Sequence, residues 1–341
     1  MSRLLDIASQ LAGADVAVVG DMIADRYVYG RPTKLSREAP VIVLRYEQER
    51  LVPGSAANTV NNLCRLGASA RALGIVGQDA LGERLVDLLG EAGADVSGMA
   101  RASCDTIEKT RILAGDIHTA KQQVIRIDRD RDFSPEASSQ EALCTALRSL
   151  PSSCGVVVVS DYGYRTVTEG AVEAIRSLAG ERALIVDSHD RLEAFPGAWM
   201  VTPNEGEAER ALGRSIRTGK DALSAGRALR SRLGAQHLLL TRGNQGMLLV
   251  SEAGEVEIPI AGSEEITDVS GAGDTVVAVL AAARSVGASA AEAARLANVA
   301  AGVVVMKRGT ATCSPEELRD ALLRREARGS RAPGEKPDVE R

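Results

Sequence analysis

Val156-Val157-Val158-Val159-Ser160-Asp161-Tyr162 is a run of four β-branched residues that stops on a polar cluster. A run of that length without polar alternation fits a strand covered on both faces, as in a parallel sheet flanked by helices. The pattern recurs. Val16–Val19 runs into Gly20-Asp21, Leu184–Val186 into Asp187, Trp199–Val201 into Thr202-Pro203-Asn204, and Leu238–Leu240 into Thr241-Arg242-Gly243. Segments of helical period lie between these runs, so the expected fold class is α/β, with stacked β-α units and a mainly parallel sheet. Ligands bind beyond the carboxyl ends of such strands, and the five polar clusters should line one cleft. A solvated loop would look the same at any one strand; the fivefold repetition favours a site.

Two segments break the rhythm. Near 26–47 the chain carries Tyr27-Val28-Tyr29 and Val41-Ile42-Val43-Leu44, and near 106–128 it carries Thr110-Arg111-Ile112-Leu113 and Val124-Ile125-Arg126-Ile127. Both read as hairpin-like strands, expected to form a small second sheet that serves as a lid or a dimer surface. Residues 324–341 are charged and rich in Gly and Pro, and are expected to be a disordered tail behind one domain spanning 1–323.

Composition removes several classes of function. Aromatic residues make up only 2% of the 341, with one Trp and two Phe, and 41 Lys and Arg stand against 46 Asp and Glu, a net charge of −5. Nucleic acid would find neither stacking platforms nor a positive field. The apolar stretch Val276–Ala283 has eight residues, far short of the roughly 18 that suggest a membrane span. The opening MSRLLDIASQ has no apolar run of the secretory kind, and the five cysteines contain no CxxC pair, so reduced thiols and a cytoplasmic location are expected. The three histidines show no metal-ligand spacing.

The sharpest local feature is Asp268-Val269-Ser270-Gly271-Ala272-Gly273-Asp274-Thr275, opening a continuous helical run. Backbone N–H groups of Gly271, Ala272 and Gly273 at a helix start can approach an anion, and the helix dipole reinforces them. Asp274, in the first turn, could accept a proton from an attacking hydroxyl. A helix capped by Ser270 or Asp268, with glycines that merely turn the chain, fits the same residues. Neither GxGxxG nor GxxxxGK[ST] occurs, which disfavours a dinucleotide Rossmann enzyme and a P-loop NTPase. Asn204 and Glu207 share one helix face and suit Mg²⁺ held partly by water and phosphate, or equally a capping box. Thr241, Arg242, Gly243 and Gly246 could border nucleotide phosphates or simply make a turn. Asp21, Asp25, Gly54, Ser55 and Asn58 suit a polyol approached closely by backbone, though solvated acids and a plain helix start read alike. Lys109, Arg111 and Arg126, in the second lid segment, could hold a substrate phosphate or stand as exposed edge charges.

In their order and spacing over residues 12–322, Gly20-Asp21 with Asp25, GSAAN at 54–58, SDY at 160–162, TPNEGE at 202–207, TRGNQG at 241–246 and DVSGAGDT at 268–275 resemble the ribokinase-like, or PfkB, family of carbohydrate kinases. Asp25-Arg26-Tyr27, Ser36–Val41 and Ile125–Asp128 are most similar to its heptose 7-phosphate kinases, which phosphorylate the anomeric hydroxyl of D-glycero-D-manno-heptose 7-phosphate. The resemblance implies a three-layer α/β/α ribokinase-like fold with a β lid often used for homodimerisation. It implies ATP and Mg²⁺, Asp274 as general base and Gly271–Gly273 as the anion hole. Asn204 and Glu207 would organise Mg²⁺ through water and phosphate, Thr241, Gly243 and Gly246 would border the nucleotide, and Asn298 would lie on the adenine side. Asp21, Asp25, Gly54, Ser55 and Asn58 would hold the sugar, with Asp161 in the SDY motif beside them. Asp268 matches a position that binds a monovalent cation in several relatives, which makes K⁺ a candidate.

The chain departs from the heptose kinases at three places. Ser55 replaces a glycine, Asp187-Ser188-His189-Asp190 replaces Asp-Pro-Lys-Gly, and Gly163-Tyr164-Arg165 follows Ser-Asp-Tyr without the usual lysine. Another phosphorylated sugar, or a ribose-, fructose- or nucleoside-like acceptor, therefore stays open. A non-catalytic sugar-phosphate sensor should have lost Asp274, Asn204 or Glu207, and all are present. No nucleotidyltransferase segment follows, so a stand-alone kinase is expected.

Overall fold

The computed structural model describes residues 2–115, 121–261 and 268–329. Its strands are β1 (Asp15–Gly20), β2 (Met22–Leu35), β3 (Ile42–Ser55), β4 (Ser69–Gly77), β5 (Asp95–Ala102), β6 (Glu108–Ala114), β7 (Gln122–Arg129), β8 (Val156–Asp161), β9 (Ala183–Ser188), β10 (Met200–Val201), β11 (His237–Thr241), β12 (Met247–Ser251) and β13 (Gly254–Ile258). The helices are α1 (Ser2–Gln10), α2 (Ala56–Arg65), α3 (Ala80–Glu91), α4 (Ala137–Arg148), α5 (Glu169–Ser177), α6 (Glu205–Leu212), α7 (Gly219–Leu233), α8 (Ala272–Ser285), α9 (Ala290–Val304) and α10 (Pro315–Gly329).

Nine strands form one sheet in the order β13-β12-β11-β10-β9-β8-β1-β4-β5, all running the same way except β12 near one edge. The alternation of side chains divides the core in two. Val16 and Val18 of β1 face α1, α2, α3, α8, α9 and α10, while Ala17 and Val19 face α4, α5, α6 and α7. The result is the ribokinase-like α/β/α sandwich. Helix α8 is buried all round from Val276 to Ala283, as an apolar run without a polar face must be. Reciprocal caps start α7 and α9, Thr218 with Asp221 and Ser289 with Glu292, and α7 stops at Gly234 in the left-handed region.

The five apolar runs read from the sequence are β1, β8, β9, β10 and β11, which are consecutive neighbours and mutually parallel. Their polar ends therefore lie along one edge. From β1 the sheet grows through β4 on one side and β8 on the other, so the topological switch point falls between Gly20-Asp21 and Ser160-Asp161.

The second sheet has the order β3-β2-β6-β7, with β2 and β6 parallel and the outer pairs antiparallel. Its strands run further than the sequence implied: β2 starts at Met22 and β3 ends at Ser55, directly against α2. The lid thus springs from the rim of the cleft. The tail expected from residue 324 is helical through Gly329, where the helix formers of EELRDALLRREAR continue α10; residues 330–341 lie outside the described residues. All five cysteines are free. Among the described residues no helix is long and apolar enough to cross a membrane.

Candidate active site

Helix α8 begins at the switch point with Gly271 as its N-cap, at φ 77°. Neither Ser270 nor Asp268 caps it; the Asp268 carboxylate instead accepts the amides of Ser270 and Gly309, both at 2.9 Å. A Cβ on Gly271 would lie 2.7 Å from Asn58 Nδ2 and 3.2 Å from Thr310 Cγ2, so glycine is required there by both φ and space. The first i−4 bond runs from Thr275 N to Gly271 O, leaving the preceding amides at the positive end of the dipole, an anion-binding arrangement.

Asp274 lies in that first turn and is 5% exposed. Asn58 Nδ2 donates to its Oδ2 at 2.7 Å and the Tyr162 hydroxyl donates to its Oδ1 at 2.9 Å. Burial raises its pKa to about 6 against the opposing effect of these two donors. A carboxyl so tuned is ionised at neutral pH and could take a proton readily. Asn58 is itself fixed, since Asn62 Nδ2 donates to its side-chain and backbone oxygens and Thr275 Oγ1 donates to Asn62 Oδ1.

On the lid side, Asp25 of β2 lies over Gly54 of β3, where a Cβ would come within 2.9 Å of the carboxylate. Its Oδ2 accepts from Thr310 Oγ1 at 3.2 Å and its Oδ1 lies 3.5 Å from Arg111 Nη2. Among the described residues Asp25 Oδ1 is buried with the Arg111 ion pair but no hydrogen-bond partner, which leaves it able to accept from a ligand hydroxyl. Lys109 Nζ stands 5.3 Å from the rings of both Tyr162 and Tyr164, and among the described residues it makes no ion pair. Burial pulls its pKa down, with Asp25 and Asp128 opposing. Arg126, the third lid cation named from the sequence, is instead half-exposed and paired with Asp128 at 2.9 Å.

Two expected sugar contacts are placed differently. Asp21 is wholly buried, and its oxygens accept the amides of Tyr162, Tyr164 and Thr166, so it holds the loop after β8 from beneath. Asp161 is equally enclosed, accepting from Gly163 N, Ser188 Oγ and Arg191 Nε. Ser55 keeps a positive φ of 52° without capping α2, a strained choice at the foot of the lid.

Beyond β9, β10 and β11 lies an acidic group. Asn204 and Glu207 form the reciprocal cap of α6, so the capping and the ligand readings describe the same two side chains. Asp187, at the end of β9, is pushed up to about 8 by burial and then by the charges of Glu207 and Asp274. Glu207 is raised too, burial outweighing its bonds from Asn204 and its His189 neighbour at 3.6 Å. Asp187, buried and raised further by the charges of Glu207 and Asp274, is the kind of group that a divalent cation would relieve. Among the described residues no group of three or more His, Cys, Asp or Glu side chains is placed to hold a metal ion.

Further along, Thr241 bridges to Asn204 and donates its amide to Pro203. Gly243 and Gly246 shape the short turn between β11 and β12. Two expected nucleotide contacts are turned to internal use: Arg242 binds Glu205 at 2.9 Å and Gln245 at 2.6 Å, and Asn298 donates to Pro259 O at 2.9 Å.

A family model described as pfkB family carbohydrate kinase matches residues 14–317. The chain belongs to that family. This sugar kinase is 38% identical over 328 residues to the bifunctional protein HldE of Paramagnetospirillum magneticum, covering 95% of this chain and 66% of that protein. It is also 38% identical to HldE of Pseudomonas aeruginosa, covering 91% and 64%. The chain thus spans just under two thirds of these curated relatives. The fold matches Escherichia coli phosphofructokinase-2 in complex with substrates and products at TM-score 0.78 and 20% identity, covering 91% of the kinase and 99% of that chain. It matches Arabidopsis thaliana ribokinase with ribose and ATP at 0.69 and 20%, covering 91% and 98%.

Sequence reasoning did not assign roles to Tyr162, Thr310 or Asp187 in the kinase site. Tyr162 and Asp187 stand in two of the polar strand ends and were legible there as cleft residues. Thr310, 285 positions from Asp25, carried no local signal.

Proposed function

We propose that this kinase transfers the γ-phosphoryl group of ATP to the anomeric hydroxyl of D-glycero-D-manno-heptose 7-phosphate, giving heptose 1,7-bisphosphate. The observation that carries the reading is the buried Asp274 carboxylate at the start of α8, facing a lid that presents Asp25 and Lys109, which makes no ion pair among the described residues. The acceptor hydroxyl gives its proton to Asp274 as its oxygen attacks the γ-phosphorus in line, and the bond to the β-γ bridging oxygen breaks, releasing ADP. The amides of Gly271 to Asp274 meet the charge that builds on the transferred group. Asn204, Glu207 and Asp187 would hold Mg²⁺ through water and phosphate, and the bound ion supplies neutralisation of the phosphate charge.

Asp25 and Gly54 would take sugar hydroxyls, while Lys109 and Arg111 would take the acceptor's own phosphate. The heptose assignment is supported by the segments Asp25–Tyr27, Ser36–Val41 and Ile125–Asp128 and by the HldE relatives. Asp268 is the proposed ligand of a K⁺ ion, and the cytoplasm the proposed compartment.

The lid exposes Ile42, Tyr46, Val124, Ile125 and Ile127, an apolar surface that supports a homodimer formed through the lid. Sedimentation velocity would read a mass of two chains; a monomer at micromolar concentration would remove that part.

The test of function is Mg²⁺-dependent ATP consumption against heptose 7-phosphate, fructose 6-phosphate, ribose, fructose and adenosine. Heptose 7-phosphate should be consumed with the highest kcat/KM. Preference for another acceptor would discard the heptose and keep the kinase.

A further inference from the structure

Thr310 follows α9, far in sequence from every motif of the site, yet it touches both halves of it. Its hydroxyl lies 2.7 Å from the Tyr27 hydroxyl and donates to Asp25 Oδ2 at 3.2 Å. Its amide donates to the Tyr27 hydroxyl at 2.9 Å. Its methyl lies 3.2 Å from where a Cβ of Gly271 would stand, against the N-cap of the helix that carries Asp274. The neighbouring amide, Gly309 N, donates to Asp268 Oδ2, and Asp268 in turn accepts Ser270 N. One two-residue step thus joins lid strand β2 to the loop before α8. Tyr27 is buried and Arg111 lies over its ring at 5.9 Å, so the joint is packed as well as hydrogen-bonded.

We propose that Thr310 is a positioning residue that sets acceptor-binding Asp25 against the phosphate-binding start of α8. The inference rests on the kinase reading above. In-line transfer requires the attacking oxygen within about 3–3.5 Å of phosphorus, with the two substrates held by different parts of the chain. Asp25 belongs to the lid and Gly271 to the α/β domain; the Thr310 hydroxyl bonds the first, its methyl lies against the space where a Cβ of the second would stand, and Gly309 N ties the same step to Asp268. With Oδ2 engaged by Thr310, Asp25 keeps Oδ1 for the acceptor. Loss of the hydroxyl frees the carboxylate to turn on its strand while leaving Asp274, Asn58 and the nucleotide side untouched.

The test is steady-state kinetics of Thr310→Val, Thr310→Ser, Tyr27→Phe and the Thr310→Val/Tyr27→Phe pair, using whichever acceptor of the panel the wild type turns over fastest. Thr310→Val should raise the acceptor KM by about 10-fold, corresponding to the loss of one hydrogen bond to a charged group, with the ATP KM within about twofold. The ratio of ATP hydrolysed to acceptor phosphorylated should rise, since a misplaced acceptor leaves the γ-phosphoryl group to water. Thr310→Ser should restore both values, and the pair should be no worse than about the larger single effect, because the two changes break one joint. An unchanged acceptor KM in Thr310→Val, a Ser variant as impaired as Val, or single effects that multiply in the pair would each overturn the proposal. If Val does not fold, the Ser and Phe variants alone decide it: a Ser acceptor KM more than about fivefold raised, or a Phe value unchanged, rejects it. Failure of the kinase reading shows separately, as a wild type that turns over no acceptor with any of the nucleotide.

Discussion

Replacing Asp274 by Asn removes the proposed base while changing its shape least. The carboxylate now receives Asn58 Nδ2 at 2.7 Å and the Tyr162 hydroxyl at 2.9 Å. Asn58 cannot flip to accept, because its own oxygen takes Asn62 Nδ2 at 3.2 Å. Tyr162 can, because a hydroxyl rotates. The new amide should therefore keep its oxygen on Asn58, turn its NH₂ to Tyr162 and leave the fold intact. Without a proton acceptor kcat should fall by about 10²–10⁴-fold, with little change in the ATP KM.

Stability should move the other way. A carboxyl whose pKa is raised from 3.8 to about 6 costs the native state about 3 kcal/mol once ionised. The raised value means that the native state binds the proton more tightly than the unfolded chain. The wild type therefore loses this contribution as pH rises from about 4 to 6, whereas Asn does not titrate. Asp274→Asn should melt a few degrees higher than wild type at pH 7.5, with the gain fading towards pH 4.5. The wild-type kcat/KM should fall about tenfold per pH unit below about 6. Coupled ADP-release assays and thermal melts at the two pH values read all of this. A variant whose kcat stays within about tenfold of wild type would refute the assignment of the base.

Two further outcomes follow from the same geometry. Lys109→Met, which keeps the packing between Tyr162 and Tyr164, should raise KM for a phosphorylated acceptor by about 10-fold or more and leave any unphosphorylated sugar unaffected, as initial rates across the panel would reveal. Glu207→Gln can still cap α6 through the Asn204 amide but lacks the charge, so a Mg²⁺ titration should show half-maximal activity shifted up by about 10-fold without a drop in melting temperature.

The sheet was legible because Val156–Val159 and its four counterparts are short, apolar and bounded by polar residues, and burial on both faces leaves that signature in any chain. The turn before α8, the proposed phosphate loop, was legible because Gly271 is demanded by backbone and space. Which strand-end acids face the cleft was not legible. Asp21 and Asp25 stand four residues apart, yet one lies under the loop after β8 and the other on the lid, a difference set by contacts with residues 141 and 285 positions away. That Arg126 pairs with Asp128, Arg242 with Glu205 and Arg111 with Asp25 was not legible either, because a sequence shows a cation but not the carboxylate beside it. Residues 324–329 looked like tail because charge and helix propensity coincide in that stretch.

The most direct test of the central claim is NMR of the product formed from ATP, Mg²⁺ and heptose 7-phosphate. The expected result is a second phosphate on the anomeric carbon, seen as a phosphorus coupling to the anomeric proton, in one-to-one ratio with ADP. A phosphate on any other carbon, or ADP without a new sugar phosphate, would contradict it.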